Sequence, residues 1–400
     1  MTPATATRDP AYDAWAVAAP GLEPLIEREL RVLGFADAES SPGGVRFSTN
    51  AAGLARANLH SRLASRIVVR LATFRATAFH ELERAARKVE WARMLGATAR
   101  FRLRVTARKS RLYHSDAIAE RVRDAILRSV PGAVATDASG DDDGDAESWL
   151  PPELDRPSAS LESAQLFVVR FDHDRCTISA DASGALLHRR GYRQAVARAP
   201  LRETLAAAML VGADYDPTRP LVDPFCGSGT LLIEAALIAR NIAPGIARGF
   251  VAEQWPETRR EHWDAARAAA RSAERARAAA AIVGSDRDEG AIAAARANAA
   301  RAGVSDDVAL HHRALSELTA TGGPGLLITN PPYGIRVGER APLRDLYARF
   351  GQVARTHCAG WHVAMLSADR ALDGHTGLRF TERLKTSNGG IPVRLVVATA

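Results

Sequence analysis

An α/β chain in two parts, an α+β front and a doubly wound back, follows from three observations. Residues 13–187 mix strand and helix patterns without a regular alternation. From Leu201 onward, apolar strands alternate with amphipathic helices, the order that gives parallel strands joined by crossover helices. The 400 residues are 46% hydrophobic and 25% charged, ordinary globular values that exclude a mostly disordered chain, a collagen and a coiled-coil rod. That length suits two or three domains, each with its own core.

In the front part, Trp15–Ala18 is extended and punctuated by Pro20-Gly21. Leu22, Leu25, Ile26, Leu30 and Leu33 then recur at helical spacing up to Gly34. Val45–Ser48 reads as a strand after Gly43-Gly44, Ala51–His60 as a helix, Arg66–Thr73 as a strand and Glu81–Met94 as a helix. Phe101–Thr106 alternates strictly, a half-buried strand with arginines on its wet face. Ser115–Val130 is a helix with Ile118, Val122, Ile126 and Val130 on one side, and Leu166–Phe171 with Cys176–Asp181 form a hairpin. Residues 131–163 lack periodicity and read as a long loop or flexible insertion.

In the back part the strands are Leu221–Val222, Ala281–Ser285, Val308–His311, Gly325–Thr329 and His362–Ser367. The helices between them are Gly229–Ala239, Glu289–Ala302 and Leu343–Thr356. Leu378–Leu384 and Val393–Ala398 make an antiparallel hairpin at one sheet edge. A doubly wound sheet takes its ligand at the carboxyl ends of its strands. The Ala-rich run 264–281 carries four Arg and two acids and does not read as a membrane span, and Met1–Pro10 has no apolar signal core. Cys176, Cys226 and Cys358 show neither a paired framework nor metal-ligand spacing, so no metal and a reducing cytoplasm are expected.

The formal charge of +7 is unevenly spread. Residues 56–128 hold 18 Lys/Arg against 6 acids, 137–155 hold 8 acids and no base, and Arg189–Arg202 holds five Arg and no acid. Basic stretches of this kind suit a polyanion, whose counterions are released on binding, or else are solvated helix faces.

Two segments carry chemistry at strand ends. In LVDPFCGSGTLLIE (Leu221–Glu234) a buried strand stops at Asp223 and a tight Gly227-Ser228-Gly229 turn opens a helix. Small residues there let the backbone approach a ligand, and the helix start presents free N–H groups; a plain glycine-rich turn is the alternative. Neither a dinucleotide fingerprint nor a P-loop is present. Asp286, at the end of the next strand, is placed to accept from ribose hydroxyls or to cap the following helix. In LLITNPPYG (Leu326–Gly334) a buried strand stops at Asn330. Pro331 and Pro332 lack N–H donors, so their carbonyls face the crevice without local competition. With the Asn330 side-chain oxygen they suit the –NH₂ of a base, for which Tyr333 offers a stacking face; the alternative is a strand-terminating turn. Cys226 reads as a packing residue, and His311 and His312 as strand-end residues.

Together these residues resemble class I S-adenosylmethionine-dependent methyltransferases acting on exocyclic amines. GYR (Gly191–Arg193), APLRETL (Ala199–Leu205), DPFCGSGTLLIEAAL and NPPYG narrow the resemblance to the THUMP-domain guanine-N2 methyltransferases of large-subunit ribosomal RNA. GLEPLIERELRVLG, GGVRF and SRLASRI extend it from about residue 13 to the end. The resemblance implies a ferredoxin-like segment (13–75), a THUMP RNA-binding domain (76–187, with 131–163 inserted) and a Rossmann-like methyltransferase domain (188–400) with a seven-stranded, mostly parallel sheet. It implies methyl transfer from S-adenosylmethionine to guanine N2 in 23S ribosomal RNA. Transfer RNA as substrate, or an inactive fold serving as an RNA-binding assembly factor, are the alternatives. Asp223, Pro224, Cys226, Gly227, Ser228, Gly229, Thr230, Glu203, Thr204, Asp286 and Arg287 would hold the cofactor, and Asn330, Pro331, Pro332 and Tyr333 would carry catalysis. Arg189, Arg190, Arg193, Arg198, Arg202, Arg104, Arg108 and Lys109 would meet RNA. Neither a membrane nor a stable protein partner is implied. Three departures stand out: the second methyltransferase activity that some relatives carry is expected to be absent, Ala314 sits where an adenine-binding acid is expected (Ser316 being the nearest substitute), and the acidic insertion lacks a clear counterpart.

Overall fold

The computed structural model describes residues 11–136, 164–194, 201–319, 322–333 and 340–400. Their front part holds strands β1 (Tyr12–Val17), β2 (Glu39–Ser41), β3 (Gly44–Thr49), β4 (Arg66–Arg75), β5 (Arg100–Arg108), β6 (Val134–Ala135), β7 (Gln165–Asp172) and β8 (Arg175–Asp181). Helices α1 (Glu23–Val32), α2 (Ala51–His60), α3 (Phe79–Ala86) and α4 (Ser115–Ser129) lie between them. All eight strands form one sheet, in the order β2-β3-β1-β4-β8-β7-β5-β6. Because β4 pairs with β8, the segments expected as two domains meeting at 75/76 share this sheet.

Strand alternation gives the sheet two unlike faces. One register row runs Leu103–Phe167–Ala180–Val69–Ala14–Phe47, and all but Leu103 are buried. Helix residues Ile26, Leu30, Leu54, Ile118 and Val122 join that core. Asn50 caps α2 through Gly53 N–H at 2.9 Å, and Gly34 ends α1 with φ +92°. The helix expected over 81–94 stops at Ala86. Trp91 is buried there, and its indole N–H donates to the Ala86 carbonyl at 2.9 Å, closing α3 before a short 3-10 turn over Trp91–Arg93.

The back part holds α5 (Glu203–Gly212), β9 (Leu221–Asp223), α6 (Thr230–Ala239), α7 (Arg260–Ser272), β10 (Ile282–Asp286), α8 (Glu289–Arg301), β11 (Val308–His312), β12 (Leu326–Thr329), α9 (Arg340–His357), β13 (His362–Ser367), α10 (Arg370–His375), β14 (Thr381–Asn388) and β15 (Ile391–Thr399). The sheet order is β11-β10-β9-β12-β13-β15-β14, with the first five strands parallel and the terminal hairpin antiparallel. This is the seven-stranded, mostly parallel sheet that the sequence predicts. No helix among the described residues is long and apolar enough to cross a membrane.

The two parts meet through polar contacts as well as packing. Arg62 Nη2 donates to the Ile242 carbonyl at 2.6 Å, and Trp255 Nε1 donates to Gln165 Oε1 at 2.7 Å. At the same seam Arg190, only 3% exposed, forms an ion pair with the fully buried Glu234 at 3.1 Å. Arg190 also donates to the carbonyls of Leu187 and Arg62, and Tyr192 OH donates to Glu234 Oε1 at 3.0 Å.

Candidate functional site

Three loops leave the carboxyl ends of neighbouring strands β10, β9 and β12, and hydrogen bonds tie them together. Asp223, the last residue of β9, accepts from Phe225 N–H (3.0 Å) and from Thr329 Oγ1 (2.8 Å), the last residue of β12. That second bond joins the start of the glycine turn to the residue before Asn330. Asp286, the last residue of β10, accepts from Gly227 N–H (3.0 Å) and from Asp288 N–H (3.0 Å). The cap of α8 is Asp288, whose carboxylate takes Ala291 N–H at 3.2 Å, so of the two roles open to Asp286, capping falls to Asp288. Each Asp286 oxygen keeps a lone pair beyond its backbone donor.

Within the turn, Gly227 and Gly229 have φ of +51° and +84°, a region that L-residues enter only at a cost. A Cβ on Gly229 would stand 3.0 Å from Ala295 Cβ, whereas a Cβ on Gly227 would point into open space. Gly229 is therefore pressed against α8, and Gly227 fronts open space. Asn298 of α8, fully buried, donates to the Ser228 carbonyl at 3.0 Å and fixes the turn from behind. Burial pushes the Asp223 carboxyl up to about 7, with Thr329 and Phe225 opposing and the Asp286 charge adding to the rise. Burial also pushes the Cys226 thiol up, so it stays protonated, which suits packing and not nucleophilic attack.

On the β12 side, Asn330 is half-buried, and its Oδ1 accepts from Tyr333 OH. Asn388, at the end of β14, donates to the Tyr333 hydroxyl at 3.1 Å. Burial holds the Tyr333 phenol above its ordinary value, so it keeps the proton it donates. Tyr347 of α9 donates to the Pro332 carbonyl at 3.2 Å. Among the described residues no donor reaches the Pro331 carbonyl. Pro331 is buried and Pro332 exposed; the acceptors of the segment with no donor among the described residues include a lone pair on Asn330 Oδ1 and the Pro331 oxygen.

Comparison with known proteins decides the family. The RMKL-like methyltransferase domain model matches residues 190–396, the RlmL ferredoxin-like domain model residues 13–68 and the THUMP domain model residues 76–138. The chain belongs to the RMKL-like methyltransferase family. A Synechocystis protein with the provisional name RNA methyltransferase slr0064 is 34% identical over 96% of this chain and 95% of its own length. The ribosomal RNA large subunit methyltransferase K/L of Syntrophotalea carbinolica is 37% identical over 96% of this chain and 53% of its own, so the chain spans about half of that relative. Among solved structures, a Listeria monocytogenes protein, described as a predicted N6-adenine-specific DNA methylase, superposes with a TM-score of 0.83 at 31% identity. It covers 96% of both chains. SMU.472, provisionally named a methyltransferase and solved with SAH, superposes with a TM-score of 0.84 at 29% identity, covering 98% of this chain and 99% of its own.

S-adenosylmethionine as the cofactor of this methyltransferase domain agrees with the crevice. Gly227 leaves room at the turn, Asp286 offers lone pairs, and Ser285 Oγ is buried without a hydrogen-bond partner among the described residues. Pro224, Ser228 and Thr230 are buried in the turn, and Arg287 is exposed beside it. Glu203 and Thr204 are buried in the first turn of α5, and no described contact joins them to the glycine turn. Glu203 faces Arg193 at 3.3 Å; its Oε2 lacks a hydrogen-bond partner, and burial pushes its carboxyl up to about 7 against the Arg193 charge. Ala314 is exposed past β11, and Glu317 reaches back to its N–H at 3.2 Å, so a carboxylate arrives there from three residues on. Ser316 is exposed, as are the strand-end His311 and His312.

The RNA residues divide. Arg189, Arg202, Arg108 and Lys109 are exposed and Arg104 is half-buried. Arg190 is corrected: its donors are spent on Glu234 and two carbonyls at the seam. Arg193 is largely withdrawn too, held by Glu203 and donating to the Leu201 carbonyl at 2.8 Å. Arg198, Gly334 and the acidic stretch 137–155 lie outside the described residues. Sequence reasoning missed Thr329, Tyr347, Asn388 and Asn298. Only the Asn388-Gly389 turn signal marked any of them, and it marks a hairpin, not a site.

Proposed function

We propose that the chain transfers a methyl group from S-adenosylmethionine to the exocyclic N2 amine of a guanosine in large-subunit ribosomal RNA. The observation that carries this reading is the Asp223–Thr329 bond, which joins the start of the glycine turn to the residue before Asn330. The THUMP match and the names of the K/L relatives support RNA as the substrate class. On this reading residues 13–75, 76–187 and 188–400 serve as ferredoxin-like, THUMP and methyltransferase units, the first two built on one sheet.

The cofactor supplies an electrophilic methyl carbon on a positively charged sulfur. Asp286, Ser285 and the Gly227 edge of the turn would hold it, and Asn298 keeps that turn in place. A guanine amine is a poor nucleophile because its lone pair is delocalised into the ring. Hydrogen bonds from its two N–H groups to Asn330 Oδ1 and the Pro331 carbonyl favour a pyramidal nitrogen whose lone pair faces the crevice. Tyr333 OH fixes which way the Asn330 amide points, and Tyr347 keeps the Pro332 carbonyl out of the competition. Orientation of this kind is worth up to about 7–11 kcal/mol in well-aligned model reactions. The methylated nitrogen is strongly acidic and loses its proton to solvent without a dedicated base. The target base must leave its stack, at a few kcal/mol.

Asn330→Ala tests the assignment. It should keep cofactor and RNA affinity within about twofold and lose methyl transfer by about 10²-fold or more, the scale of one reaction-oriented polar group. Nucleoside analysis of 23S ribosomal RNA and transfer RNA treated with the unsubstituted chain should show N2-methylguanosine in the former. N6-methyladenosine, or label in transfer RNA alone, would overturn the substrate assignment, and normal turnover by Asn330→Ala would overturn the mechanism.

A further inference from the structure

Much of the basic excess of residues 56–128 is placed by the fold on one face of the sheet. All six acids of that stretch lie in the helix layer or its turns: Glu81 and Glu83 on α3, Glu90 after it, and Asp116, Glu120 and Asp124 on α4. There they neutralise their neighbours, as in Arg121–Glu83 (2.9 Å), Arg121–Glu120 (3.1 Å) and Arg87–Glu83 (3.7 Å). Strands β4 and β5 carry arginines and no acid.

Register then puts those arginines on the sheet face turned away from the helices. One row runs Arg104–Val168–Ser179–Arg70, the next Thr106–Arg170–Thr177–Thr73, and the third Arg108–Asp172–Arg175–Arg75. Rows two residues apart are about 6.6–6.8 Å apart along the strands, which lie about 4.8 Å from one another. Small side chains between the arginines let them lie across the sheet. The Arg70 guanidinium stacks 4.0 Å from the centroid of Trp15, on the neighbouring strand β1. Partial burial holds Arg70 below its ordinary pKa; Asp13 opposes this, and Arg46, Arg175 and Arg170 add to it, so the cations stand close together. Among the described residues the acids on this face are few: Asp13 is paired with Arg46 (2.8 Å), Asp181 with Arg66 (2.5 Å), Asp172 lies beside His173 (3.0 Å), and Glu39 on the edge strand β2 stands opposite Arg46.

We propose that the open face of the eight-stranded sheet, spanning β3, β1, β4, β8, β7 and β5, is the docking surface for the substrate RNA's phosphate backbone. It rests on the RNA reading above and narrows it: RNA lies across the sheet, over strands of both front segments, and not along α3 and α4. Charge complementarity selects a polyanion. The exclusive use of arginine on β3, β4, β5, β7 and β8 favours phosphates and stacked bases, which its planar fork serves better than lysine. The apolar members, Trp15 and Val168 half-buried and Val68 and Leu166 buried, lie among the arginines and do not protrude as a lipid-inserting surface would.

The test uses the full chain, an unmodified 23S ribosomal RNA transcript, and two multiple variants. Arg108→Ala/Arg170→Ala/Arg175→Ala removes three exposed cations of the sheet face; Arg84→Ala/Arg123→Ala removes two from the helix layer. The sheet variant should bind the transcript about 10²-fold more weakly near 0.15 M salt and lower the slope of log affinity against log salt by about 2–3. Its cofactor affinity and melting temperature should match the unsubstituted chain, and the helix-layer variant should bind RNA normally. The proposal is overturned if the sheet variant keeps normal affinity and slope, or if the helix-layer variant loses as much. A sheet variant that keeps RNA affinity but loses binding to phosphatidylserine vesicles assigns the face to lipid and overturns it too. If the unsubstituted chain neither binds nor methylates any RNA, the RNA reading itself fails and this surface with it; methylation that survives in the sheet variant at unchanged KM refutes the surface alone.

Discussion

Replacing Asn388 by alanine removes a side chain that touches neither the glycine turn nor the acceptor pair directly. Asn388 donates to Tyr333 OH at 3.1 Å, and Tyr333 donates onward to Asn330 Oδ1. The chain of donors polarises the phenol and holds the Asn330 amide in one of its two flips. A partly buried neutral hydrogen bond is worth about 0.5–1.5 kcal/mol net, so Asn388→Ala should lower kcat about 2–12-fold. Tyr333→Phe keeps the ring but removes the donor facing Asn330 Oδ1, at about 1–3 kcal/mol, or about 5–150-fold in kcat. The two losses should not add. In Tyr333→Phe the hydroxyl that Asn388 addresses is gone, so Asn388→Ala in that background should change kcat by less than about twofold. Single-turnover methyl transfer on saturating RNA reads kcat, a cofactor titration checks that binding is unchanged, and thermal unfolding checks the fold. Full multiplicative loss in the double variant would show that Asn388 does not act through Tyr333 and would refute the relay.

The two glycines of the turn should respond differently to alanine. Gly227→Ala, with φ +51° and open space around the added methyl, should cost about 1–2 kcal/mol of stability yet weaken S-adenosylmethionine binding about tenfold or more. Gly229→Ala, with φ +84° and Ala295 Cβ at 3.0 Å, should lower stability further by pushing the turn off α8, as calorimetry would read. Cofactor affinity unchanged in Gly227→Ala would remove that turn from the binding site. Asp223 gives a pH prediction. Its folded pKa of about 7 lies above the ordinary carboxyl value of 3.8, so between those values the folded chain holds a proton that the unfolded chain has released. Its contribution to stability therefore falls as pH rises through that window and levels off above it. Urea unfolding of Asp223→Asn between pH 5 and 6.5 should show a slope shallower by about 1.4 kcal/mol per pH unit. An unchanged slope would mean that Asp223 titrates normally.

What the sequence disclosed and what it withheld divide along one physical line. Patterns that recur within a few residues were legible: the parallel order of β9 to β13, the terminal hairpin and both strand-end motifs all follow from local alternation and turn residues. Helix α5 was passed over because its run ETLAAAMLVG is buried on nearly every side, and periodicity cannot separate such a helix from an apolar strand. Charge was legible as a sum but not as a direction. Arg190 and Arg202 belong to one basic run, yet Arg190 is spent on Glu234, 44 positions away, while Arg202 faces solvent. The same limit hid Asn388, which meets Tyr333 across 55 positions. The basic stretch 56–128 is the exception that explains the rule. Its arginines alternate along β5, and that two-residue period decides which face each one takes. Its acids instead follow the helices. Once β5 pairs with β7, β7 with β8, and β8 with β4, local alternation in separate strands becomes a two-dimensional array of one sign. Much of an excess that looked like scattered surface charge is thereby a property of the sheet, on the face that α1 to α4 leave uncovered.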